Sequence, residues 1–341
     1  MNTYRDDIQA VFHENLPWEK LSGSNILVTG ATGLIGSTLV DVLMSNPHHD
    51  YAVYASGRNL ERARQRFKDY LSMDSFHFVE YDVMVPLQME VPFDYIIHAA
   101  SNANPNAFSR NPVEIVKSNI YGVSNLIEYG IGHGMKRFLY VSSGEIYGQG
   151  DGRVISEEYS GYVDCLNSRS CYPSSKRTAE TLCASYASEY DVDVVIARPC
   201  HVYGPNFTES DNRVYAQFIR NILNDEDIVL KSSGDQLRSW CYVTDCVSAL
   251  LYVLLKGVSG EAYNIADPSS VMTIRQLAEM LASIGNKKVI MEVPSDIEKK
   301  GYNPVTKSVF SIDKLQALGW KASGNMDEKM LKTVEHLRGE K

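Results

Sequence analysis

The sequence predicts an α/β protein with a doubly wound parallel sheet, followed by a smaller C-terminal α/β lobe. Within the first 200 residues, short apolar segments rich in β-branched residues alternate with segments of helical spacing. Near-continuous apolar character is typical of strands buried on both faces, and the alternation is typical of a parallel sheet covered by helices. A glycine-rich turn directly follows the first apolar segment. At 341 residues, the chain is long enough for such a domain and an attached lobe.

The predicted elements follow one another in a regular order along the chain. A short amphipathic helix is predicted over residues 4–20, ahead of the first strand. Strands are predicted at 25–30, 51–55, 76–81, 94–98, 138–142 and 194–198, and helices at 34–44, 59–71, 113–130 and 175–190. After Pro199 the pattern loosens, and residues 270–341 indicate helices with short strands.

Charge and composition argue against several classes of protein. The 33 basic and 42 acidic residues give a net charge of −9, whereas a nucleic-acid binder usually shows a basic face. Six cysteines lack CxxC or paired spacing, which predicts a reduced, cytoplasmic chain, and eight histidines show no metal-ligand spacing. The first 20 residues lack the apolar run of a signal peptide, and the run 247–255 is too short to cross a bilayer. We expect no nucleic acid, membrane or metal partner.

The glycine-rich turn predicts a dinucleotide-binding site. Its sequence is Gly30-Ala-Thr-Gly33-Leu-Ile-Gly36, placed between the first strand and the first helix of the sheet. The first glycine permits a tight turn, the second lets the backbone approach a pyrophosphate, and the third lets helix and strand pack closely. The amide groups at the start of the helix then face the phosphate oxygens.

The residues after the second strand bear on the choice between NAD and NADP. An acidic residue there would bind the free ribose hydroxyl of NAD. This chain has Ser56-Gly57-Arg58-Asn59 instead. Arg58 can either hold a 2′-phosphate or stack on the adenine, and the sequence leaves both open. Asp82 follows the third strand and is placed to meet the adenine amino group.

A tyrosine and a lysine predict the catalytic centre. Tyr172 and Lys176 are separated by four residues, so both side chains lie on one face of a helix. A nearby ammonium group favours the phenolate, and we expect it to lower the pKa of Tyr172 towards the working range. Tyr172 can then take a proton from a substrate hydroxyl while hydride leaves the same carbon. Ser143, at the end of the fifth strand, can hydrogen-bond that oxygen.

Seven motifs occur in one order between about residue 24 and about residue 270. They are Gly30-x-x-Gly33-x-x-Gly36, His98-Ala-Ala-Ser101, Asn119, Ser142-Ser-Gly-Glu-Ile-Tyr-Gly148, Tyr172-x-x-x-Lys176, Arg198-Pro199…Tyr203-Gly-Pro205 and Arg238-Ser-Trp-Cys-Tyr-Val-Thr-Asp245. Together they resemble the extended short-chain dehydrogenase/reductases, in the NAD-dependent nucleotide-sugar epimerase/dehydratase family.

The resemblance implies a Rossmann-like fold, a nucleoside-diphosphate sugar substrate, and an NAD that is tightly bound and recycled within each turnover. NADP remains an alternative because of Arg58. By position, Ser143, Tyr172 and Lys176 oxidise the sugar C4 hydroxyl to a transient 4-ketone. The next step is decarboxylation, dehydration or epimerisation in different members. The family also suggests a homodimer formed through the helices at 113–130 and 175–190.

Glu145 and Gly144 distinguish among these reactions. Within the family, 4,6-dehydratases carry Thr-Asp-Glu and UDP-glucuronate decarboxylases carry Thr-Ser-Glu where this chain has Ser143-Gly144-Glu145. Simple 4-epimerases usually lack the glutamate. Glu145 can act as a general base or a polar orienting group near C5, whereas Gly144 removes the aspartic acid that protonates the leaving hydroxyl. The sequence therefore slightly favours decarboxylation or dehydration over simple 4-epimerisation, with weak support for the decarboxylase-like branch.

The resemblance also assigns candidate binding residues. The expected cofactor contacts are Gly30, Thr32, Gly33, Leu34, Ile35, Gly36, Arg58, Asp82, Val83, Ala99, Ala100, Ser101, Asn119, Ser142, Tyr172, Lys176 and Pro199. The expected substrate contacts are Ser143, Gly144, Glu145, His201, Arg213 and Arg238. His201 stands where most relatives have a substrate-binding asparagine, and a structural role for it is equally compatible with the sequence. Arg238 is the expected phosphate ligand, whereas Trp240 and Tyr242 are expected in the core.

Three regions and three alternative functions follow from this interpretation. Residues 1–24 form an N-terminal helical extension, residues 25–200 the dinucleotide-binding domain, which also receives residues 240–266, and residues 201–341 mainly the substrate-binding lobe. The alternatives are a nucleotide-sugar 4-epimerase, a net NADPH-dependent keto-sugar reductase, and a non-catalytic nucleotide-binding scaffold. The scaffold is disfavoured because Ser143, Tyr172 and Lys176 are all present.

Overall fold

The computed structural model describes residues 3–47, 49–292 and 305–339. Among the described residues, the largest sheet contains seven parallel strands, in the order β10-β6-β5-β4-β1-β2-β3. The bounds are β1 Asn25–Thr29, β2 Ala52–Gly57, β3 Phe76–Glu80, β4 Tyr95–His98, β5 Arg137–Val141, β6 Val194–Pro199 and β10 Ala262–Ile265. The strand order reverses between β1 and β4, and ligands bind at such a switch point. The predicted fold class is confirmed.

Helices cover both faces of this sheet. They are α2 Leu34–Ser45, α3 Leu60–Arg66, α4 Pro105–Arg110, α5 Pro112–Gly132, α6 Cys171–Tyr190 and α8 Val243–Lys256. Neighbouring residues of one strand belong to opposite cores: Ile26 packs with α2 and α8, and Leu27 packs with α5 and α6. Burial on both faces of the sheet explains why the sequences of these strands are almost continuously apolar.

The C-terminal lobe is built around a second sheet. β9 (Leu237–Tyr242) pairs in parallel with β7 (His201–Tyr203) and β13 (Lys307–Ser308), and antiparallel with β11 (Asp267–Thr273). β8 (Ile228–Leu230) pairs with β12 (Val289–Met291). The helices of this lobe are α7 Val214–Leu223, α9 Ile274–Gly285, α10 Asp313–Ala317 and α11 Met326–Gly339. Trp240 and Tyr242 are buried, as expected from the sequence.

The N-terminal segment differs from the prediction. Helix α1 covers only Tyr4–Ala10, and short 3-10 turns follow at Val11–His13 and Trp18–Leu21. The helix cannot continue because Glu14 has extended backbone angles, and Pro17 disfavours the helical conformation of the residue before it. The Tyr4 hydroxyl donates to Asp41 on α2 at 2.9 Å, which docks α1 on the helix that follows the glycine-rich turn.

Two other helix boundaries differ from the sequence prediction by four residues or more, and one helix was not predicted. Helix α3 stops at Arg66 instead of residue 71, and α6 begins at Cys171 instead of residue 175. Helix α4 was not predicted, although Asn104 as N-cap and Pro105 at the first position are ordinary helix-start signals. Because α6 begins at Cys171, both Tyr172 and Lys176 lie within this helix. No helix in the described part of the chain is long and apolar enough to span a membrane.

Candidate active site

The glycine turn between β1 and α2 has the close backbone packing that its sequence predicts. Gly30 has φ +67°, and a β-carbon there would lie 2.7 Å from the Ala99 carbonyl oxygen and the Ala100 α-carbon. A β-carbon on Gly36 would overlap the Gly30 carbonyl group. Any larger side chain at positions 30 and 36 would therefore push β1, α2 and the β4 turn apart. Gly33 is the N-cap residue of α2, whose first amides point towards the cleft.

A cleft of about 520 Å³ opens above this turn, at the carboxyl ends of the central strands. Its lining includes most of the expected cofactor contacts: Gly30, Thr32, Gly33, Leu34, Ile35, Gly36, Arg58, Asp82, Val83, Ala99, Ala100, Ser101, Ser142 and Tyr172. The helix N-terminus, the close glycine backbone and the length of this lining fit a dinucleotide.

Three expected cofactor residues lie outside this lining. Asn119 is buried behind it, where it accepts a hydrogen bond from Ser101 and donates one to Ser175. Lys176 lies beneath the Tyr172 ring, and Pro199 ends β6. Asn119 thus supports Ser101, which lines the cleft.

The end of the cleft beside Arg58 and Asp82 carries both positively and negatively charged side chains. Arg58 forms an ion pair with Glu114 of α5 at 3.1 Å, and both side chains line the cleft while remaining largely exposed. Arg62, which the sequence analysis did not single out, donates to the Thr32 carbonyl at 2.9 Å. Asp82 accepts from the Met84 amide, so its carboxylate caps a turn as well as lining the cleft.

Tyr172 and Lys176 meet at the inner end of the cleft. The Lys176 ammonium donates to the Val141 carbonyl at 2.9 Å and lies 5.8 Å from the centre of the Tyr172 ring. Both side chains are buried. Burial lowers the pKa of Lys176 to about 7. Desolvation of the phenol, followed by the charge of Glu145, raises the pKa of Tyr172 to about 12. The expected lowering of the Tyr172 pKa is therefore wrong, because burial and the charge of Glu145 outweigh the hydrogen bonds with Ser143 and Ser101 and the charge of Arg213.

Two serines adjoin the Tyr172 hydroxyl. Hydrogen bonds with Ser143 and Ser101 both favour the phenolate, although they offset only part of the effect of burial on the Tyr172 pKa. The Ser143 hydroxyl also accepts from the Glu145 amide at 3.2 Å, which caps the short 3-10 turn over 144–147. Ser143, Glu145 and Tyr172 are thus brought together from the end of β5 and the start of α6.

Glu145 has a partner that sequence reasoning missed. Both carboxylate oxygens accept from the guanidinium of Arg169, at 3.1 and 3.2 Å. Arg169 lies in the 3-10 turn that precedes α6, and its guanidinium carbon is 4.7 Å from the centre of the Phe108 ring. Phe108 in turn stacks on Tyr172, with ring centres 4.7 Å apart. These residues form one connected cluster beside the Tyr172 phenol.

Gly144 faces an aromatic ring from the C-terminal lobe. A β-carbon at position 144 would overlap the Phe310 ring. Phe310 is buried, and its ring packs edge-on against Tyr147. The space that a side chain at position 144 would occupy is therefore filled by a phenyl group.

Of the expected substrate residues in the C-terminal half, Arg213 lines the cleft, whereas His201 and Arg238 are not among its lining residues. Arg213 forms an ion pair with Asp211. Arg238 is buried and donates to the Leu237 and Val305 carbonyls; within the described ranges no carboxylate lies within salt-bridge distance of it. Burial lowers its pKa to about 10, which leaves it cationic at neutral pH. Burial, with the charges of Arg238 and Arg213, lowers the pKa of His201 to about 3, so its imidazole is neutral.

Comparison with known proteins agrees with this geometry. A model of the NAD dependent epimerase/dehydratase family matches residues 26–266. UDP-glucuronic acid decarboxylase 1 of Xenopus tropicalis is 32% identical over 320 residues, which cover 92% of this chain and 72% of that protein. The chain belongs to the NAD-dependent epimerase/dehydratase family. It is an NAD-dependent nucleotide-sugar enzyme.

Other members of the family extend the comparison. UDP-glucuronic acid decarboxylase 5 of Arabidopsis thaliana is 32% identical over 90% of this chain and 87% of its own length. The UDP-glucose 4-epimerase of Thermotoga maritima, solved with UDP-glucose, superposes with a TM-score of 0.79 at 27% identity, covering 93% of this chain and 99% of that one. A dTDP-glucose 4,6-dehydratase of Streptomyces venezuelae, solved with NAD, has a TM-score of 0.80 at 22% identity over 92% and 97% of the two chains, which shows the shared fold.

Two loops of this family member meet over the mouth of the cleft. The Asn104 side-chain amide donates to the Ser210 carbonyl at 2.7 Å, and both residues line the cleft. The first loop follows β4 and the second follows β7, so the contact joins the sheet domain to the C-terminal half. Sequence reasoning missed this bridge, and the run of asparagines between residues 102 and 106 was its only local signal.

Proposed function

We propose that this enzyme decarboxylates a nucleoside-diphosphate uronate, with UDP-glucuronate as the substrate, through a transient 4-ketone. The nucleotide-sugar enzyme class is established by the family, and the relatives named UDP-glucuronic acid decarboxylase support the choice of substrate. The arrangement of Ser143, Glu145, Tyr172 and Lys176 at one end of the cleft supports the reaction.

The first half of the proposed reaction belongs to Tyr172 and its neighbours. Tyr172 takes the proton of the sugar C4 hydroxyl, and Ser143 hydrogen-bonds the same oxygen. When bound, an oxidised nicotinamide supplies a positive charge and accepts hydride from C4, and later returns it. Lys176 holds the inner wall through the Val141 carbonyl and places a cation under the Tyr172 ring.

The second half depends on the position of the carboxylate relative to the new ketone. In a 4-keto uronate the carboxylate is β to the carbonyl, so loss of carbon dioxide leaves the electron pair of the broken bond on the ketone oxygen as an enolate. Protonation of C5 then restores the ketone, and return of hydride and the Tyr172 proton gives the pentose. Glu145 is the group we assign to orient the C5 side of the sugar.

The observation that carries the proposal is the pairing of Glu145 with a side-chain-free position 144. Phe310 fills the space beside Gly144, so the wall next to Glu145 presents an apolar ring where a dehydratase has an acid. Elimination of a hydroxyl needs an acid beside the leaving oxygen, whereas the loss of carbon dioxide itself needs none, and the proton that C5 then takes up comes from water.

Anion binding by the C-terminal half supports a diphosphate substrate. Arg213 lines the cleft, and Arg238 is a buried guanidinium that has no carboxylate within salt-bridge distance among the described residues, which suits a phosphate. The neutral His201 between them can accept a hydrogen bond from a sugar hydroxyl or pack structurally. We assign Arg238 to the diphosphate and leave Ser143, Gly144 and Glu145 on the sugar side.

Several further assignments belong to the proposal. We assign residues 25–200, with 240–266, to the cofactor domain and residues 201–341 mainly to substrate binding, supported by the position of β10 beside β6.

NAD is the proposed cofactor, tightly bound and recycled. A homodimer through α5 and α6 is supported by the exposed Tyr121 and Tyr190 on those helices. A cytoplasmic location rests on the cysteine pattern of the sequence.

Product analysis tests the proposal. The purified enzyme is incubated separately with UDP-glucuronate and with uridine, thymidine, cytidine and guanosine diphosphate hexoses. The masses of the products are then measured by mass spectrometry. We expect loss of carbon dioxide from UDP-glucuronate without net consumption of cofactor. Loss of water from a hexose, an unchanged mass with altered stereochemistry, or stoichiometric oxidation of NADPH would replace the proposal by dehydratase, 4-epimerase or reductase function.

Two substitutions separate the halves of the reaction. Tyr172→Phe removes the proton acceptor and is expected to abolish every conversion. Glu145→Gln keeps the size of the side chain and is expected to lower decarboxylation by about 10²-fold. Unchanged turnover in Glu145→Gln, combined with loss of turnover in Tyr172→Phe, would point to an epimerase instead.

A further inference from the structure

Arg169 makes a two-point contact with Glu145. The two terminal nitrogens of its guanidinium donate to separate carboxylate oxygens at 3.1 and 3.2 Å. Its side chain is 20% exposed and that of Glu145 is 30% exposed, so water screens the pair only in part. A bidentate pair fixes both the position and the rotation of the carboxylate, which a single contact cannot do.

Phe108 joins this ion pair to the catalytic tyrosine. The Phe108 side chain is buried, lies 4.7 Å from the Arg169 guanidinium carbon and stacks on Tyr172 with an interplanar angle of 21°. The Cys171 thiol donates to the Phe108 carbonyl, which ties the start of α6 to the same loop. The guanidinium is therefore held by packing as well as by charge, and the cluster moves with Tyr172.

The charges around Tyr172 come from several elements. Glu145, on the turn after β5, opposes ionisation of the phenol, and Arg213, before α7, favours it. Lys176 lies under the ring on the same helix, and Arg238 of β9 faces Glu145. An uncompensated Glu145 carboxylate would disfavour the Tyr172 phenolate, which is the form that accepts the proton from the substrate. Arg169 is the cation in direct contact with that carboxylate.

We propose that Arg169 is a positioning residue that holds Glu145 against the sugar and balances its charge, so that Glu145 and the Tyr172 phenolate can coexist in one site. The inference rests on the proposed function, in which Glu145 acts on the C5 side of the substrate. Two separate effects follow. Loss of the two-point contact disorders Glu145, and loss of the positive charge disfavours the phenolate of Tyr172.

The two effects are separated by two substitutions. Arg169→Met keeps the length of the side chain but removes charge and hydrogen bonds, whereas Arg169→Lys keeps the charge and loses the two-point contact. The readouts are release of carbon dioxide from UDP-glucuronate, and the pH dependence of cofactor reduction in a single turnover, which needs only the Tyr172 step. Unfolding temperature and cofactor content are measured for every variant.

We expect Arg169→Met to move the acid limb of the single-turnover profile upward by about one pH unit and to lower decarboxylation by about 10²-fold. Arg169→Lys should leave the acid limb in place and lower decarboxylation by about tenfold. In a Glu145→Gln background the Arg169→Met change should cause no additional shift, since no carboxylate charge remains to be balanced. Arg153→Met is the matched control, because Arg153 is 75% exposed and pairs with Asp151 on the surface; it should behave as wild type.

An unshifted acid limb in a folded Arg169→Met protein would overturn the inference. A shift of equal size in the Glu145→Gln background would also overturn it, because Arg169 would then act on Tyr172 without Glu145. Failure of the proposed function is seen separately in the wild-type enzyme, as absence of carbon dioxide release. In that case the nucleotide sugar that does turn over replaces UDP-glucuronate in the same pH comparison.

Discussion

The Phe310 ring occupies the space that a β-carbon on Gly144 would need. Phe310 reaches this place from the segment after β13, its amide donates to the Ser239 hydroxyl, and its ring packs against Tyr147. The ring is held on several sides, so it cannot swing away without disturbing both sheets. A glycine at position 144 is therefore a requirement of packing between the two halves of the molecule.

A substitution cycle at these two positions measures this complementarity. Gly144→Ala forces a methyl group into the ring, and we expect a loss of about 1–3 kcal/mol in unfolding free energy together with reduced turnover. In a Phe310→Ala background the same change should cost less than 1 kcal/mol, since the space is then open. Denaturant unfolding and product formation are measured for the four proteins. Equal costs of Gly144→Ala in both backgrounds would show that Phe310 is not the obstacle.

The buried ammonium of Lys176 predicts an unusual dependence of stability on pH. Its pKa in the folded protein is about 7, below the ordinary value of 10.5, so between these pH values the unfolded chain holds the proton and the folded chain does not. Stability from this group therefore rises as pH increases from about 7 to about 10.5, and it is lowest below pH 7. Lys176→Met removes this contribution.

We expect the stability of the wild type relative to Lys176→Met to increase by several kcal/mol across that interval. Unfolding by denaturant at a series of pH values provides the measurement. The absolute offset between the proteins also contains the lost bond to the Val141 carbonyl, so the slope with pH is the decisive quantity. Parallel curves for the two proteins would contradict the prediction.

Local spacing was sufficient to find the parts of the site that lie close together in sequence. The glycine turn spans Gly30–Gly36 between β1 and α2, and its geometry follows from backbone sterics alone. Tyr172 and Lys176 share one helix face because they are four residues apart. These two local patterns predict the position of the cleft and of its inner end without any information on tertiary contacts.

The remaining features depend on contacts between distant parts of the chain. Arg169 lies 24 positions from Glu145, and Phe310 reaches Gly144 from the segment after β13. The raised pKa of Tyr172 has a related cause: the neighbouring Lys176 is visible in the sequence, whereas the burial that raises this pKa is a property of the assembled core.

The ion pair between Arg58 and Glu114 predicts a preference for NAD over NADP. A 2′-phosphate beside Arg58 would also lie beside the Glu114 carboxylate, which already neutralises the guanidinium. Glu114→Gln keeps the shape and removes the charge, so we expect the ratio of NADP⁺ to NAD⁺ affinity to rise about fivefold. Dissociation constants of both cofactors for cofactor-stripped protein give the ratio. The gain should vanish in Glu114→Gln combined with Arg58→Ala, and a ratio unchanged by Glu114→Gln alone would refute this account of specificity.

The hydrogen bond from Asn104 to the Ser210 carbonyl predicts slow release of the cofactor. It joins two loops over the cleft, so a bound dinucleotide leaves only when the contact opens. Asn104→Asp keeps the oxygen that accepts from the Asn106 amide and caps α4, but it replaces the donating amide by an oxygen that repels the carbonyl. We expect release of NAD to become about tenfold faster, measured by stopped-flow displacement. Asn102→Asp is the matched control, since Asn102 uses its side-chain oxygen as an acceptor from the Asn104 amide. If both aspartates accelerate release equally, the effect is one of added negative charge, and the bridge does not retain the cofactor.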